Sequence, residues 1–358
     1  MRVLSNFLEF ISRSESKIFV LMLCAGITTV TFFYRIQSPY LNDPKVEIRQ
    51  YTPEVLSKLS HQIKEIKVGL HVKNFTEFDI LRRHFRTNLI LWFMFNPTEI
   101  DQSKVDQFTI DNAPILKKIK KKTKTVKDKI IVFYEVTADL PSVFNFKAFP
   151  FDKHRIPVIV SNEKMLPAEF SISSSSSLFI VPEDLQVSDW DISSGKVAHG
   201  FRVVTLGINS DQIMASHKIA YPVSVFNLNI SRTGFKVLIW IFLPIFLLLF
   251  LSLISLGIDI RDFRTYNFMS LTTLIALLLY RFVLENMSPN VNYFTISDKI
   301  YLVAVLIAIL SFLVNLLSTR LAHKYKLAAK INNLRLTRSS LLHLFALSAT
   351  GYVVYLLI

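Results

Sequence analysis

Cysteine is almost missing from this chain: Cys24 is the only one in 358 residues, and it lies inside an apolar stretch. No intrachain disulfide can form, and no zinc site can be assembled from cysteines. Glycine is scarce as well, with 8 in the chain and no phosphate-binding loop among them. The 8 histidines are scattered, and none has the His-x-x-x-His or His-Glu-x-x-His spacing that holds a catalytic metal. Acidic residues are locally absent: 319–340 carries six Lys or Arg and no Asp or Glu. No nucleophile, metal or cofactor motif supports an enzyme, and no cofactor is expected.

What is abundant is apolar. Hydrophobic residues make up 51% of the chain and aromatics 13%, which sits with membrane proteins rather than soluble enzymes. The formal net charge of +14 could suggest nucleic acid. Much of it is local, however, in eight Lys between 117 and 129 and in the basic run 319–340. Basic clusters beside apolar spans fit the positive-inside rule or anionic lipid better than DNA. No nucleic-acid partner is expected.

Residues 18–34 form a first uncharged run of seventeen, preceded by Arg2, Arg13 and Lys17 and closed by no Ala-x-Ala-like site. It reads as an uncleaved signal anchor with its N-terminus in the cytoplasm, the alternative being a signal peptide. Cys24 within it reads as a small lipid-facing residue. From about 42 to 232 the character changes. Ile66–Val72 alternates as a half-buried strand should, after a short helix at 53–65. Asn88–Phe95, Lys129–Val136, Arg155–Ser161, Gly200–Gly207 and Tyr221–Ile230 read as further strands. Turns are expected at the serine run 171–177 and at Ser193-Ser194-Gly195. This pattern predicts an antiparallel β-sandwich. The lysine run 117–129 reads as a solvated hairpin, or alternatively as an anion site. Asp189 and Asp191, flanking Trp190, would share one sheet face, either simply solvated or sensing a cation or protons.

Four apolar segments follow: Val237–Ile258, Phe268–Leu284, Ile300–Leu317 and Leu341–Ile358, each near the length that spans a bilayer. The domain plan is therefore an anchor at 1–41, a sandwich at 42–232 and a four-helix transmembrane part at 233–358, with a long basic cytoplasmic loop at 318–340. The second span is the least lipid-like. Steps of three and four place Thr265, Phe268, Thr272, Ile275, Leu279 and Phe282 on one stripe. Polar at the cytoplasmic end and apolar further out suits a pore with a dewetting gate; the alternative is a helix packed centrally in its bundle. Pro244, inside the first of the four spans, is either a hinge or a packing feature.

Several segments then fall in a recognisable order. They are Val-Gly-Leu-His-Val-Lys-Asn-Phe-Thr-Glu-Phe-Asp at 68–79, Phe-Pro-Phe-Asp at 149–152, Ser-Asp-Trp-Asp-Ile at 188–192, and Ile230-Ser231-Arg232. Pro244 in the first helix, the run 273–289 and Tyr-Phe-Thr-Ile-Ser at 293–297 complete the set. Together, over roughly 60–358, they resemble subunits of pentameric ligand-gated ion channels, of the bacterial type without loop cysteines. The resemblance implies an extracellular sandwich above a five-fold pore in a bacterial inner or plasma membrane, with the chain itself, lipid and permeant monovalent ions as partners. Phe149, Pro150, Phe151 and Asp152 would rest on the loop 286–297. Asp152 would pair with Arg232, and Glu285 and Pro289 would complete the gating junction. Arg264 would join the pore stripe at its cytoplasmic mouth, leaning toward anions. A small ligand would bind near Phe95, Asn96, Asn162, Glu163 and Trp190, without the aromatic box that grips quaternary amines. Protons are the other candidate agonist, with Glu77, Asp79, His154 and Glu285 as titratable groups. The competing expectation is a non-conducting pentameric receptor or sensor whose pore is occluded by Phe268, Leu279 and Phe282.

Overall fold

Alternating apolar and polar residues make strands of the middle of the chain, and long uncharged runs make helices at its two ends, in the computed structural model of the protein. The structure describes residues 13–37, 40–41, 43–51, 63–80, 82–111, 113–187, 190–210, 213–232, 235–324 and 328–358. In chain order the elements are α1 (Ser14–Gln37), β1 (Tyr40–Leu41), β2 (Lys64–Asp79), β3 (His84–Phe95), α2 (Gln102–Val105), β4 (Thr109–Ile110), β5 (Ile115–Val126) and β6 (Lys129–Asp139). Then come β7 (Asp152–Ser161), β8 (Phe170–Ser173), β9 (Phe179–Ile180), β10 (Gln186–Val187), β11 (Trp190–Ser210) and β12 (Ile213–Arg232). Four helices end the chain: α3 (Lys236–Gly257), α4 (Phe263–Met287), α5 (Ile296–Lys324) and α6 (Ala328–Leu357). Two compact units result. Met1–Tyr40, Phe146–Asp152 and Gly234–Ile358 make one; Leu41–Asn145 with Lys153–Thr233 makes the other.

The strand unit holds two sheets rich in antiparallel pairs. One runs β5-β6-β3-β2-β8 with β9 also on β2; the other runs β1-β7-β12-β11-β10 with β4 also on β7. β3 buries every second residue along its whole length, as a strand with one face on a core must. Val68, Leu70, Val72, Leu89, Leu91 and Phe93 supply the inner face of the first sheet, and Ile156, Val158, Phe226 and Leu228 that of the second. Phe179 of β9 meets Phe226 of β12 with ring centroids 5.4 Å apart, so the two inner faces meet there. This is consistent with the expected sandwich. Gly69 pairs with Trp92 across the first sheet, and a Cβ at Gly69 would stand 2.1 Å from the indole. Only a residue without a side chain lets the Trp92 ring lie over its neighbour's backbone.

The lysine-rich hairpin is an edge. β5 lies outermost in its sheet, mostly exposed, and turns into β6 at Lys127, whose φ is 55°. Charges along an outer strand oppose pairing with another chain. Lys118 folds back over the Phe108 ring at 3.6 Å, and burial, partly countered by Asp106, pulls its pKa below the usual lysine value. Glu135 accepts from Lys73 and Lys121, each at 2.7 Å, and these two bonds hold its carboxyl down at about 2.

In the helical unit the helices run up and down. At one end Lys17 of α1 donates to the carbonyl of Gly257 of α3 at 3.2 Å, and Ser16 bonds His343 of α6 at 3.2 Å. At the other, Phe32 of α1 meets Phe242 and Phe246 of α3 edge-on, at 4.8 and 5.5 Å. A buried polar network crosses four helices. Arg338 of α6 donates to the Ser255 carbonyl of α3 at 2.8 Å and to Asn315 of α5 at 3.0 Å. Its guanidinium lies 4.1 Å from the ring of Tyr266 of α4, while Asn315 donates to the Ser255 hydroxyl at 2.9 Å. Among the described residues, α1, α3, α4, α5 and the α6 segment Ile331–Leu357 are five helices long and apolar enough to cross a membrane.

Some expectations change. The basic loop at 318–340 is largely helix, since α5 runs on to Lys324 and α6 begins at Ala328. The segment holds neither Gly nor Pro, and Lys, Arg, Leu and Ala all favour helix. Its Arg338 is a buried partner rather than a free loop charge. Cys24 is buried against Leu253, Leu342 and Ala346 instead of facing outward. Part of the expected turn at 171–177 is strand β8, paired in parallel with β2. Ser193-Ser194-Gly195 lies inside β11 at a bulge, where a Cβ on Gly195 would meet the Asn227 carbonyl at 2.6 Å. Lys64 and Glu65 belong to a strand, and 53–62 of the expected short helix lies outside the described residues.

Two outcomes follow from the strand unit. Gly69→Val should cost about 1–3 kcal/mol by forcing Trp92 off the sheet, read as a lower thermal midpoint; an unchanged midpoint would mean the indole moves freely. Because the Glu135 pKa is depressed, its contribution is full above the ordinary value near 4.5 and lost as pH falls toward about 2. Glu135→Gln should therefore give a shallower acid limb across that window than the parent chain, and equal slopes would remove Glu135 as its cause.

Candidate functional site

α4 is capped at its start by Asp262, whose carboxylate accepts from the Thr265 amide at 3.4 Å. Its inward face is Tyr266, Ser270, Thr273, Leu277 and Leu284, all buried. The polar groups on that side are met within the bundle. Tyr266 bonds Thr319 at 2.8 Å, Thr273 donates to the Met269 carbonyl at 2.8 Å, and Tyr280 donates to the Trp240 carbonyl at 2.6 Å. Such back-bonding removes the need for water along the helix. Thus Ser270 and Thr273, polar members of this span, point into the bundle.

Arg264, Thr265, Phe268, Thr272, Ile275, Leu279 and Phe282 form the opposite face, and all are exposed. Phe268 keeps 73% of its surface, Ile275 49%, Leu279 61% and Phe282 67%. Leu271, Leu278 and Val283 beside this face are exposed too, and large apolar side chains this open require a further environment. Near the far end of α4, Arg281 donates to Asp298 of α5 at 2.7 Å. Asp298 is in turn held by the Thr295 amide at 3.0 Å and hydroxyl at 2.8 Å, an N-terminal box on α5.

The segment Phe146–Asp152 belongs with the helices, although residues on both sides of it belong with the strands. The Phe149–Pro150 bond is cis. The Phe149 carbonyl accepts from the Ser297 amide at 3.2 Å, and the Phe146 amide donates to the Tyr293 hydroxyl at 3.0 Å. Phe151 stacks on Phe242 at 5.6 Å and meets Phe32 edge-on at 5.3 Å. Phe149, Pro150, Phe151 and Asp152 are all buried, as is Pro289, while Glu285 is exposed.

Within the strand unit, Arg232 lies over the Trp190 ring at 4.2 Å. His154 is fully buried with Asp43, its Nδ1 3.1 and 3.3 Å from the two carboxylate oxygens. Asp43 also accepts from the amides of Asn145 at 2.9 Å and Arg155 at 2.7 Å. Glu77 pairs with Arg86 and with His84 at 3.2 Å, and Arg86 also donates to Asp139 at 2.7 Å, holding that carboxyl below its usual range. Asp79 accepts from the Arg82 amide at 2.9 Å.

Of the residues expected near a ligand, Phe95, Asn162 and Trp190 are buried; Asn162 donates to the Lys104 carbonyl at 2.7 Å and accepts from the Lys164 amide at 3.0 Å. Asn96 is half-buried and caps its own turn through Thr98 at 3.2 Å, which leaves Glu163 as the exposed member. Asp189 lies outside the described residues, and Asp191 is exposed.

Sequence reasoning missed two clusters. Asp43 carried no pattern that would link it to His154. Asp111 gathers Ser161, Arg202 at 3.0 Å and Tyr221 at 3.1 Å, and burial first, then the Asp111 charge, pushes the Tyr221 hydroxyl up to about 12. The alternation of β7 and β12 could have placed Ser161 and Tyr221 near one another, but nothing local pointed to Asp111. No known protein family matches this chain, and no curated protein sequence does either.

Proposed function

We propose that the chain is the subunit of a homopentameric ion channel of the ligand-gated type. One observation carries the reading: the seven-residue face of α4 from Arg264 to Phe282 stays uncovered while Tyr266, Ser270, Thr273, Leu277 and Leu284 of the same helix are buried. Five copies arranged around an axis would turn these faces on one another, polar at Arg264, Thr265 and Thr272 and apolar at Ile275, Leu279 and Phe282. Apolar rings at that depth gate by excluding water. The five apolar helices would cross a bacterial inner or plasma membrane, α1 as an anchor with its start in the cytoplasm and the strand unit outside. That orientation puts the basic ends of α5 and α6 inside, as the positive-inside rule favours.

The segment Phe146–Asp152 is the coupling element in this reading, because it is covalently part of the strand region and hydrogen-bonded to residues 293–297. Asp152 and Arg232 would form its charged junction. Protons or a small ligand would open the pore. In the proton-gated form of this reading His154, beside Asp43, and Glu77, beside Arg86, are the candidate sensing groups. The bulk of Phe268 and Phe282 on the same face favours a second reading, a pentameric receptor or sensor that does not conduct.

Planar-bilayer recordings with outer pH stepped from 8 to 4 under a salt gradient test the proposal. Ile275→Asn should raise open probability by wetting the apolar band, and the reversal potential should report charge preference. Silence from both proteins, with pentamers verified by mass, favours the non-conducting sensor. Asp152→Asn should abolish evoked current while pentamers persist, and unchanged gating would exclude Asp152 from coupling.

A further inference from the structure

At the end of the helical unit where α1 begins, a cavity of about 150 Å³ is lined by Ser14 and Lys17 of α1, Leu256 and Gly257 of α3, Ile258 and Asp259 beyond it, and Arg335 and Arg338 of α6. Three cations converge there on a single acid, Asp259. Lys17 is half-buried and Arg335 exposed, while Arg338 keeps only 2% of its surface. The Arg338 side chain spends one terminal nitrogen on Ser255 and Asn315, and its Nε has no hydrogen-bond partner among the described residues. A guanidinium that deep, with donor capacity left over and two further cations beside it, is costly unless an anion completes it. The cavity exceeds the roughly 30 Å³ share of one water by enough to admit a larger group.

We infer that this cavity is a phosphate-binding site for the headgroup phosphate of an anionic lipid or for free phosphate. Arg335 and Arg338 supply planar, fork-shaped donors that match phosphate oxygens, and Lys17 adds a point charge. Ser14 brings a hydroxyl to the same wall. The site needs α1: without Lys17 and Ser14 it loses one side and a third of its positive charge. Bound phosphate would thereby fasten α1 to α3 and α6. Asp259 sets the selectivity, since it repels a ligand unless the three cations act together. The inference concerns binding alone and stands whether or not the protein conducts.

Thermal unfolding of the full chain in detergent tests it, titrated separately with inorganic phosphate and with dihexanoyl phosphatidic acid, and repeated in phosphatidylcholine nanodiscs with and without phosphatidylglycerol. Saturable stabilisation is expected. A response to inorganic phosphate assigns the site to the free anion, and a response to the lipids alone assigns it to a headgroup; both support the inference. Lys17→Gln with Arg335→Gln should weaken the half-saturating concentration by about thirtyfold, at about 1 kcal/mol for each basic residue. Arg335→Gln alone, at an exposed position, should weaken it about fivefold while leaving the ligand-free midpoint in place. Stabilisation equal in parent and both variants, or none with any phosphate source, overturns it.

Discussion

The helical unit depends on how one guanidinium is satisfied in an apolar interior. Arg338 sits among four helices, and its acceptors come from α3 and α5 while Tyr266 of α4 offers its ring face. Hydrocarbon-like surroundings give a charge no other partners, so these contacts fix the rotation of every helix that supplies one. Once Tyr266 must face Arg338, Ser270, Thr273 and Leu277 follow it inward at helical spacing. The remaining face of α4 is then forced outward, aromatic rings included. The feature on which the functional proposal rests is thus a consequence of an arginine 56 to 74 residues further along the chain.

The strand unit obeys a different constraint, the two-residue period of the pleat. Where that period holds, as in β3 and the first half of β7, burial alternates along the strand and the sheets have an inside. The lysine run lies on the edge strand β5, and buried polarity appears as enclosed clusters around Asp43 and Asp111. Each cluster gathers several donors on one carboxylate, the arrangement in which a buried acid is least costly. The two units are covalently interleaved, since the chain leaves the strand unit after Asn145 and returns to it at Lys153.

Much of this was legible in the sequence. Five long apolar runs announced five helices because nothing else in a protein needs so many uncharged residues in succession, and the alternation at 66–72 and 88–95 announced strands. The stripe from Thr265 to Phe282 was visible at helical spacing, and its exposure follows from that spacing. What was not legible involved pairing at a distance. The charge of Arg338 reads as solvated until Asn315 and Ser255 are brought beside it. Gly195 reads as a turn until a bulge in a long strand gives it another use. Asn162 and Phe95 look available for a ligand in one dimension, yet the fold buries them. The basic segment 318–340 reads as a loop from its charge, yet it holds no helix breaker and folds largely as helix.

α1 carries a consequence for how the molecule is made. Its helix partners are α3 and α6, and the Ser16–His343 bond joins residues 327 positions apart. At synthesis rates of about 5–20 residues per second, α1 waits roughly 15–65 s for that partner to exist. During this interval it must survive alone. Its threonines make that possible: Thr28, Thr29 and Thr31 each donate to a carbonyl of their own helix, four residues back, at 2.8 Å. An isolated α1 therefore leaves few hydroxyls seeking partners while the strand unit is being synthesised. Assembly is consequently split in time. α1 is made long before α6 and completes its packing only when α6 has been made.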